Sequence, residues 1–152
     1  MIPLNIRPAR LKDWKVILNI ESQALNKYYS TGTTKSATTK YLNTETILLA
    51  YLKKNFIGKI SYYKNNNNVH ISGLVIVDKY RGNGYGRILT KYVIELHPLI
   101  NKFSLTVHPL NMHAKNIYLN MGFKTKKVID NYYGDGEPRE LMDFSRIRLA
   151  KK

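Results

Sequence analysis

The residues whose types and spacing carry the clearest chemistry are Arg81-Gly82-Asn83-Gly84-Tyr85-Gly86, preceded by Tyr80. Glycines at alternate positions open backbone conformations closed to other residues and remove side chains that would hold a ligand away from the main chain. Placed between a strand and a helix, such a loop points unpaired N–H groups and the positive end of a helix dipole at whatever docks there. That is the chemistry of a phosphate or pyrophosphate cradle, and Arg81 adds a positive charge beside it. A Walker loop requires Gly-Lys-Ser/Thr, whereas Gly86 is followed by Arg87 and Ile88. A dinucleotide fingerprint requires GxGxxG and an acidic residue about 20 positions on, and Glu95 comes too early. A strand-to-helix turn that binds nothing is the remaining reading.

Other reactive constellations are few. The chain has no cysteine, which excludes disulfides, thiolate metal sites and a cysteine nucleophile, and is compatible with a reducing compartment. His70, His97, His108 and His113 show no metal-binding spacing such as HExxH, so no metal is expected. No nucleophile-base-acid triad stands out.

The elements that position the glycine loop follow from periodicity. Leu4–Arg7 reads as a strand, and Trp14, Ile17, Leu18 and Leu25 mark one stripe of a helix over Leu11–Leu25. Tyr28–Ser36 reads as a loop, with a short helix over Thr34–Leu42. Thr46–Leu52 and Phe56–Tyr63 predict a hairpin, and asparagines 65–68 a second turn leading into a strand over Val69–Val77. A helix over Gly84–Leu96 presents Ile88, Leu89, Tyr92, Val93 and Leu96 on one face and stops before Pro98. A strand over Phe103–Val107, a helix over Asn111–Asn120 capped by Gly122, and strands over Lys124–Ile129 and Leu141–Arg148 complete the chain. The fold class is α+β: a mixed, mostly antiparallel sheet flanked by helices, in the order β-α-α-β-β-β-α-β-α-β-β.

The 152 residues predict one domain over 1–152, with 43% hydrophobic residues to fill its core. MIPLNIRPAR lacks the apolar stretch of a signal peptide, and the longest apolar run, near Ile47–Leu52, is far short of a membrane span. A cytoplasmic protein is expected. A net charge of +15 draws anionic partners, among them a phosphate-bearing cofactor or nucleic acid, and equally serves solubility.

The loop together with its surroundings resembles the GNAT superfamily of N-acetyltransferases. Arg81-Gly82-Asn83-Gly84-Tyr85-Gly86 is similar to that family's acetyl-CoA signature, Arg/Gln-x-x-Gly-x-Gly/Ala. Leu74-x-Ile76 before it and a second motif, Asn111-x-x-Ala-x-x-Ile-Tyr-x-x-x-Gly-Phe ending at Phe123, continue the resemblance. The implied cofactor is acetyl-CoA. By the same resemblance, the strands Val69–Val77 and Phe103–Val107 splay apart around its pantetheine arm. Main-chain groups of Leu74, Val75 and Ile76 would bind the arm, and amides from Gly82 through Asn83, Gly84 and Tyr85 to Gly86 the pyrophosphate.

Asn111 would reach the pantetheine amides, with a helix N-cap as its alternative role. Tyr118 would contact the sulfur and protonate the departing thiolate, as a phenol near pKa 10 can do. The acceptor amine arrives protonated and needs a base. Where related peptide acetyltransferases often begin the fourth strand with glutamate, the chain has His70, able to accept a proton near neutral pH but open to a purely structural role. The absence of a nucleophile favours direct attack in a ternary complex.

Ile129-Asp130-Asn131-Tyr132-Tyr133-Gly134 resembles the closing hairpin of ribosomal-protein-type N-terminal acetyltransferases. Tyr132 and Tyr133 are therefore candidate substrate contacts, or else packing residues. Asp130, Asp135, Glu137, Glu140 and Asp143 concentrate half of the chain's ten carboxylates nearby, a local attraction for a cationic amine or a solvated hairpin. The acceptor expected is a protein or peptide amine, with a small amine as the alternative and a non-catalytic acyl-CoA- or RNA-binding module as the reading from another class. Nucleic acid is not expected as the primary partner, because many tyrosines alternate in strands and pack. A monomer or homodimer is expected.

Overall fold

The computed structural model describes residues 2–26, 28–29 and 31–146. Among these, seven strands form one sheet: β1 (Leu4–Pro8), β2 (Thr46–Leu52), β3 (Asn55–Asn65), β4 (Asn68–Ile76), β5 (Lys102–Val107), β6 (Lys124–Ile129) and β7 (Arg139–Ser145). Their order across the sheet is β1-β2-β3-β4-β5-β7-β6. Only β4 and β5 run parallel. Four helices complete it: α1 (Trp14–Ala24), α2 (Lys35–Thr44), α3 (Tyr85–Leu96) and α4 (Met112–Asn120). The order of elements is the expected one, and no helix of the described residues is long and apolar enough to cross a membrane.

Alternation along the strands divides the core in two. Leu48, Ile60, Val69, Ile71, Phe103, Leu105 and Met142 point to one side, where Leu89 and Val93 of α3 and Tyr118 of α4 pack on them. Each fully buried aliphatic side chain of this kind contributes about 1.5–3 kcal/mol. On the other side Ile47 and Leu49 meet Ile17 of α1, while Val75 meets Ile20 and Ala24. That second side is also polar, with Lys59, Ser61, His70 and Ser104 all buried.

Several boundaries differ from the periodicity. The first helix opens with a separate 3₁₀ turn, Leu11–Asp13, because the Asp13 carboxylate is taken by the Arg10 N–H at 2.8 Å and the Arg7 guanidinium at 2.8 Å. Leu25 falls beyond α1 and is 43% exposed, and Glu21 is buried in its place. On α3, Thr90 joins Leu89 and Val93 inside while Leu96 is exposed. The last strand starts at Arg139, since Arg139 and Glu140 pair with Ile129 and Val128 of β6. Its expected end, Ile147 and Arg148, lies outside the described residues. Arg146 leaves the strand, and its guanidinium donates to the Ile94, His97 and Pro98 carbonyls at the C-terminus of α3, where a cation is favoured.

Two features shape the centre of the sheet. β4 and β5 pair only from Asn68–Lys102 to Ile71–Leu105, so beyond Ile71 the two strands part. At the same level Ser61 pairs with Gly73 and Tyr62 with Ile71, leaving Ser72 as the extra residue of a bulge. A bulge re-aims the side chain it carries.

Candidate active site

The glycine loop stands at the head of α3. Gly82 and Gly84 take φ of 76° and 83°, and a Cβ built on either meets nothing within 4 Å. Their requirement is therefore backbone conformation and open space rather than packing. Gly86 departs from the expectation of unusual φ: it is helical, and a Cβ there would sit 3.4 Å from the Leu74 side chain. The first helical acceptor bond runs from the Ile88 N–H to the Gly84 carbonyl. The preceding amides thus lie ahead of the intrahelical ladder, and no side chain caps them. Asn83 shapes the loop from within, its amide donating to the Tyr80 and Arg81 carbonyls at 3.1 Å each. The Arg81 guanidinium donates to the Ile76 carbonyl at 3.0 Å and pairs with Asp78 at 3.1 Å, so part of its charge is already engaged.

From this loop a groove of about 530 Å³ runs along Leu74, Val75 and Ile76 of β4 to Asn111 and Tyr118 of α4, with Tyr85 on its wall. It leads into a narrow throat of about 90 Å³ where β4 and β5 part, bounded by Ser72, Gly73, Leu74, Thr106 and Tyr118. On the α1/α2 side a further cavity of about 400 Å³ is lined by His70, Ser72, Glu45, Tyr63, Tyr132 and Tyr133. Leu74, Asn111 and Tyr118 border both groove and throat. Ser72 and Tyr133 border both throat and cavity, and Tyr29 borders all three spaces.

Individual side chains are held as follows. Tyr118 is buried, and burial pushes its phenol up to about 12, so the hydroxyl keeps its proton at neutral pH. Asn111 is the N-cap of α4, its side-chain oxygen accepting from the Ala114 N–H at 3.3 Å. His70 has its Nδ1 2.8 Å from the Ser104 hydroxyl, and its ring packs against Tyr63. Burial lowers its pKa, with Asp143 acting the other way. His70 lines the cavity but not the throat, whereas Tyr118 lines the throat but not the cavity.

The β6–β7 loop is fastened rather than free. Tyr132 and Tyr133 stack edge to face at 4.7 Å, and the Tyr133 hydroxyl lies 2.9 Å from that of Thr106. Of the five nearby carboxylates, three are in ion pairs, Asp135 with Arg139 at 3.0 Å, Glu140 with Lys115 at 2.9 Å and Asp143 with Lys102 at 3.6 Å, and Glu137 is hydrogen-bonded to His108 at 2.7 Å. The Leu110 N–H donates to His108 Nδ1, which leaves Nε2 as the donor to Glu137.

Sequence reasoning missed a polar network beneath the cavity. Ser72 donates to Glu45 and bonds Ser61 at 3.0 Å; Ser61 bonds Tyr41, Lys59 donates to Tyr41 at 2.7 Å and pairs with Glu21, and Tyr29 donates to Glu21 at 2.8 Å. Burial opposes the Lys59 charge, but the Tyr41 and Glu21 oxygens outweigh it and raise the pKa. A Cβ at Gly73 would stand 2.9 Å from the Tyr29 hydroxyl and 3.0 Å from Lys59 Nζ, so the network needs glycine there. The one signal in the sequence was alternation in β3, where Lys59, Ser61 and Tyr63 interleave with Ile60 and Tyr62.

Comparison with known proteins agrees with this arrangement. A model of the acetyltransferase (GNAT) family matches residues 14–123. The chain is 29% identical over 140 residues to an uncharacterized N-acetyltransferase of Methanocaldococcus jannaschii, covering 90% of this chain and 88% of that protein. Its fold is similar to that of the ribosomal-protein-S18-alanine N-acetyltransferase from Escherichia coli, with a TM-score of 0.80, 17% identity and coverage of 99% of this chain and 97% of that one. It is also similar to a GNAT family acetyltransferase from Elizabethkingia anophelis with acetyl-CoA bound, at a TM-score of 0.73 and 16% identity over 94% of this chain and 98% of that one. With a family match over most of its length, the chain belongs to the acetyltransferase (GNAT) family and is an N-acetyltransferase.

Proposed function

We propose that the protein transfers the acetyl group of acetyl-CoA to the α-amino group of a protein or peptide, by direct attack in a ternary complex. The observation that supports this reading is the succession of three adjoining spaces: the groove at the glycine loop shares Leu74, Asn111 and Tyr118 with the throat, and the throat shares Ser72 and Tyr133 with the cavity on the α1/α2 side. Two substrates can enter from opposite sides and meet where β4 and β5 part.

In this reading the amides of Gly82–Gly86 hold the pyrophosphate, with Arg81 beside it, and the main chain of Leu74, Val75 and Ile76 aligns the pantetheine arm. The groove fits such a ligand, since open space faces both left-handed glycines. Asn111 completes the wall while capping α4. Tyr118, protonated at neutral pH, donates to the sulfur as it leaves. Tyr132 and Tyr133 close over the acceptor. The ammonium proton must pass to a base before attack, and both His70 and Glu45 line the cavity the acceptor would occupy.

Incubation with acetyl-CoA and a panel of unblocked peptides carrying each of the 20 N-terminal residues, read by intact mass, tests the proposal. A gain of one acetyl group on the α-amine of at least one peptide is expected. Acetylation of small amines alone would contradict the peptide assignment, and no acetylation of any amine would contradict the reaction.

A further inference from the structure

We infer that Glu45, reached through the Ser72 hydroxyl, is the group that takes the proton from the acceptor ammonium. The inference rests on the acetyl-transfer reading above and names a catalytic relay within it.

The argument is positional. The nucleophilic nitrogen has to stand where the acceptor cavity meets the throat, because Leu74 and Tyr118, which border the groove with Val75 and Ile76, also line the throat. Ser72 occupies that opening, lining both spaces. It does so because it is the extra residue of the β4 bulge, and its hydroxyl donates to Glu45 Oε2. Glu45, between α2 and β2, also lines the cavity and is only partly exposed. His70 lines the cavity alone, with Nδ1 engaged by Ser104.

The surroundings suit a carboxylate that exchanges protons. Burial raises the Glu45 pKa, opposed by the Ser72 hydrogen bond and the Lys59 charge, with Glu21 acting in the same direction as burial. Lys59 of β3, Glu21 of α1 and Lys40 of α2 are the charged groups around it. Tyr63 of β3, His70 of β4, Tyr41 of α2, Tyr29, and Tyr132 and Tyr133 of the closing loop are the other titratable groups that share its cavity. A carboxyl lifted toward neutrality is a better proton acceptor at working pH than one at the ordinary value.

The step balances. Ser72 passes its proton to Glu45 as it receives one from the ammonium, which leaves a neutral amine and a protonated carboxyl. The nitrogen lone pair forms the N–C bond, the C–S bond breaks and its electron pair stays on sulfur. Tyr118 supplies the sulfur proton and recovers one from the new amide nitrogen. Glu45 returns the first proton to water.

The test is kcat/KM from pH 6 to 9.5 for a peptide acetylated in the panel, with acetyl-CoA affinity measured by calorimetry on each variant. Glu45→Gln is expected to lower kcat/KM about 100-fold at pH 7 and to move the acidic limb up to the amine's own ionisation, about 7.7–8.0, with acetyl-CoA binding unchanged. Ser72→Ala is expected to move the limb in the same direction, and Glu45→Asp to keep it in place at a reduced rate. A Glu45→Gln limb that stays put, at any rate, overturns the inference, as does a limb that moves in His70→Gln instead. Failure of the unaltered protein to acetylate any peptide or bind acetyl-CoA would remove the proposed function itself, a separate outcome.

Discussion

Tyr133 and Thr106 meet hydroxyl to hydroxyl at 2.9 Å, which ties the β6–β7 loop to the end of β5 beyond its last pairing with β4. The Arg139 guanidinium, 2% exposed, lies 5.2 Å from the Tyr133 ring centre and supports it from behind. Tyr133→Phe removes the tie but keeps the ring. The expected result is an acceptor KM raised about 3- to 10-fold, the worth of one neutral hydrogen bond, with kcat nearly unchanged. A loss confined to kcat would contradict a positioning role.

Tyr118 also lines the throat, buried and held protonated. Tyr118→Phe should lower kcat by about 100-fold or more while leaving the acetyl-CoA Kd within about 2-fold, because a proton donor acts on the leaving sulfur rather than on ground-state binding. Stopped assays for free thiol and calorimetry separate the two quantities. Equal turnover in the variant would take the acid role from this residue.

The Lys59–Glu21 pair, with side chains 0% and 2% exposed, predicts a stability experiment. Lys59→Met leaves a carboxylate buried without its counter-ion and should cost about 3–5 kcal/mol in urea unfolding. Lys59→Met combined with Glu21→Leu should recover most of that loss, although the cavity floor is altered. If the double variant were no more stable than the single one, the pair would not be the energetic unit described.

Much of this arrangement was legible in the residues. The glycine loop could be placed because its chemistry and its local conformation coincide: Gly82 and Gly84 need left-handed φ, and the same freedom exposes the amides. Element order followed from alternation, as in Val69 and Ile71 against His70. The network was not legible, because charged residues in a strand or helix ordinarily face water. Nothing local says that Glu21 and Lys59, 38 positions apart in the chain, neutralise each other inside. Ser72 was equally silent, since a bulge depends on the register with β3 and not on the β4 sequence alone. The acidic residues of the last hairpin read as a cation trap only until their partners, brought from β5 and α4, were in view.

His70 carries a pH signature of its own. Its folded-state pKa lies below the unfolded value of about 6.5, so the unfolded chain binds the proton first. The stability contributed by the neutral ring is therefore present above that value and is lost as pH falls through the lowered folded value. Urea unfolding at pH 7.5 and pH 5 should show a smaller drop for His70→Gln than for the unaltered protein. Equal drops would mean that the ring titrates as it does in water.

Gly84→Ala tests the cradle itself. Its φ of 83° is costly for an L side chain, about 1–2 kcal/mol, while the open space around it excludes a steric explanation. If the loop relaxes in the free protein and must regain this shape on binding, acetyl-CoA affinity falls about 5- to 30-fold.

The most direct measurement is calorimetric titration of acetyl-CoA into the unaltered protein at low and at raised salt. One molecule bound per chain, at an affinity that persists as salt screens the +15 charge, is the result predicted if the groove ends in the pyrophosphate cradle proposed at the glycine loop. No heat at either salt, or heat that disappears on screening, would contradict it.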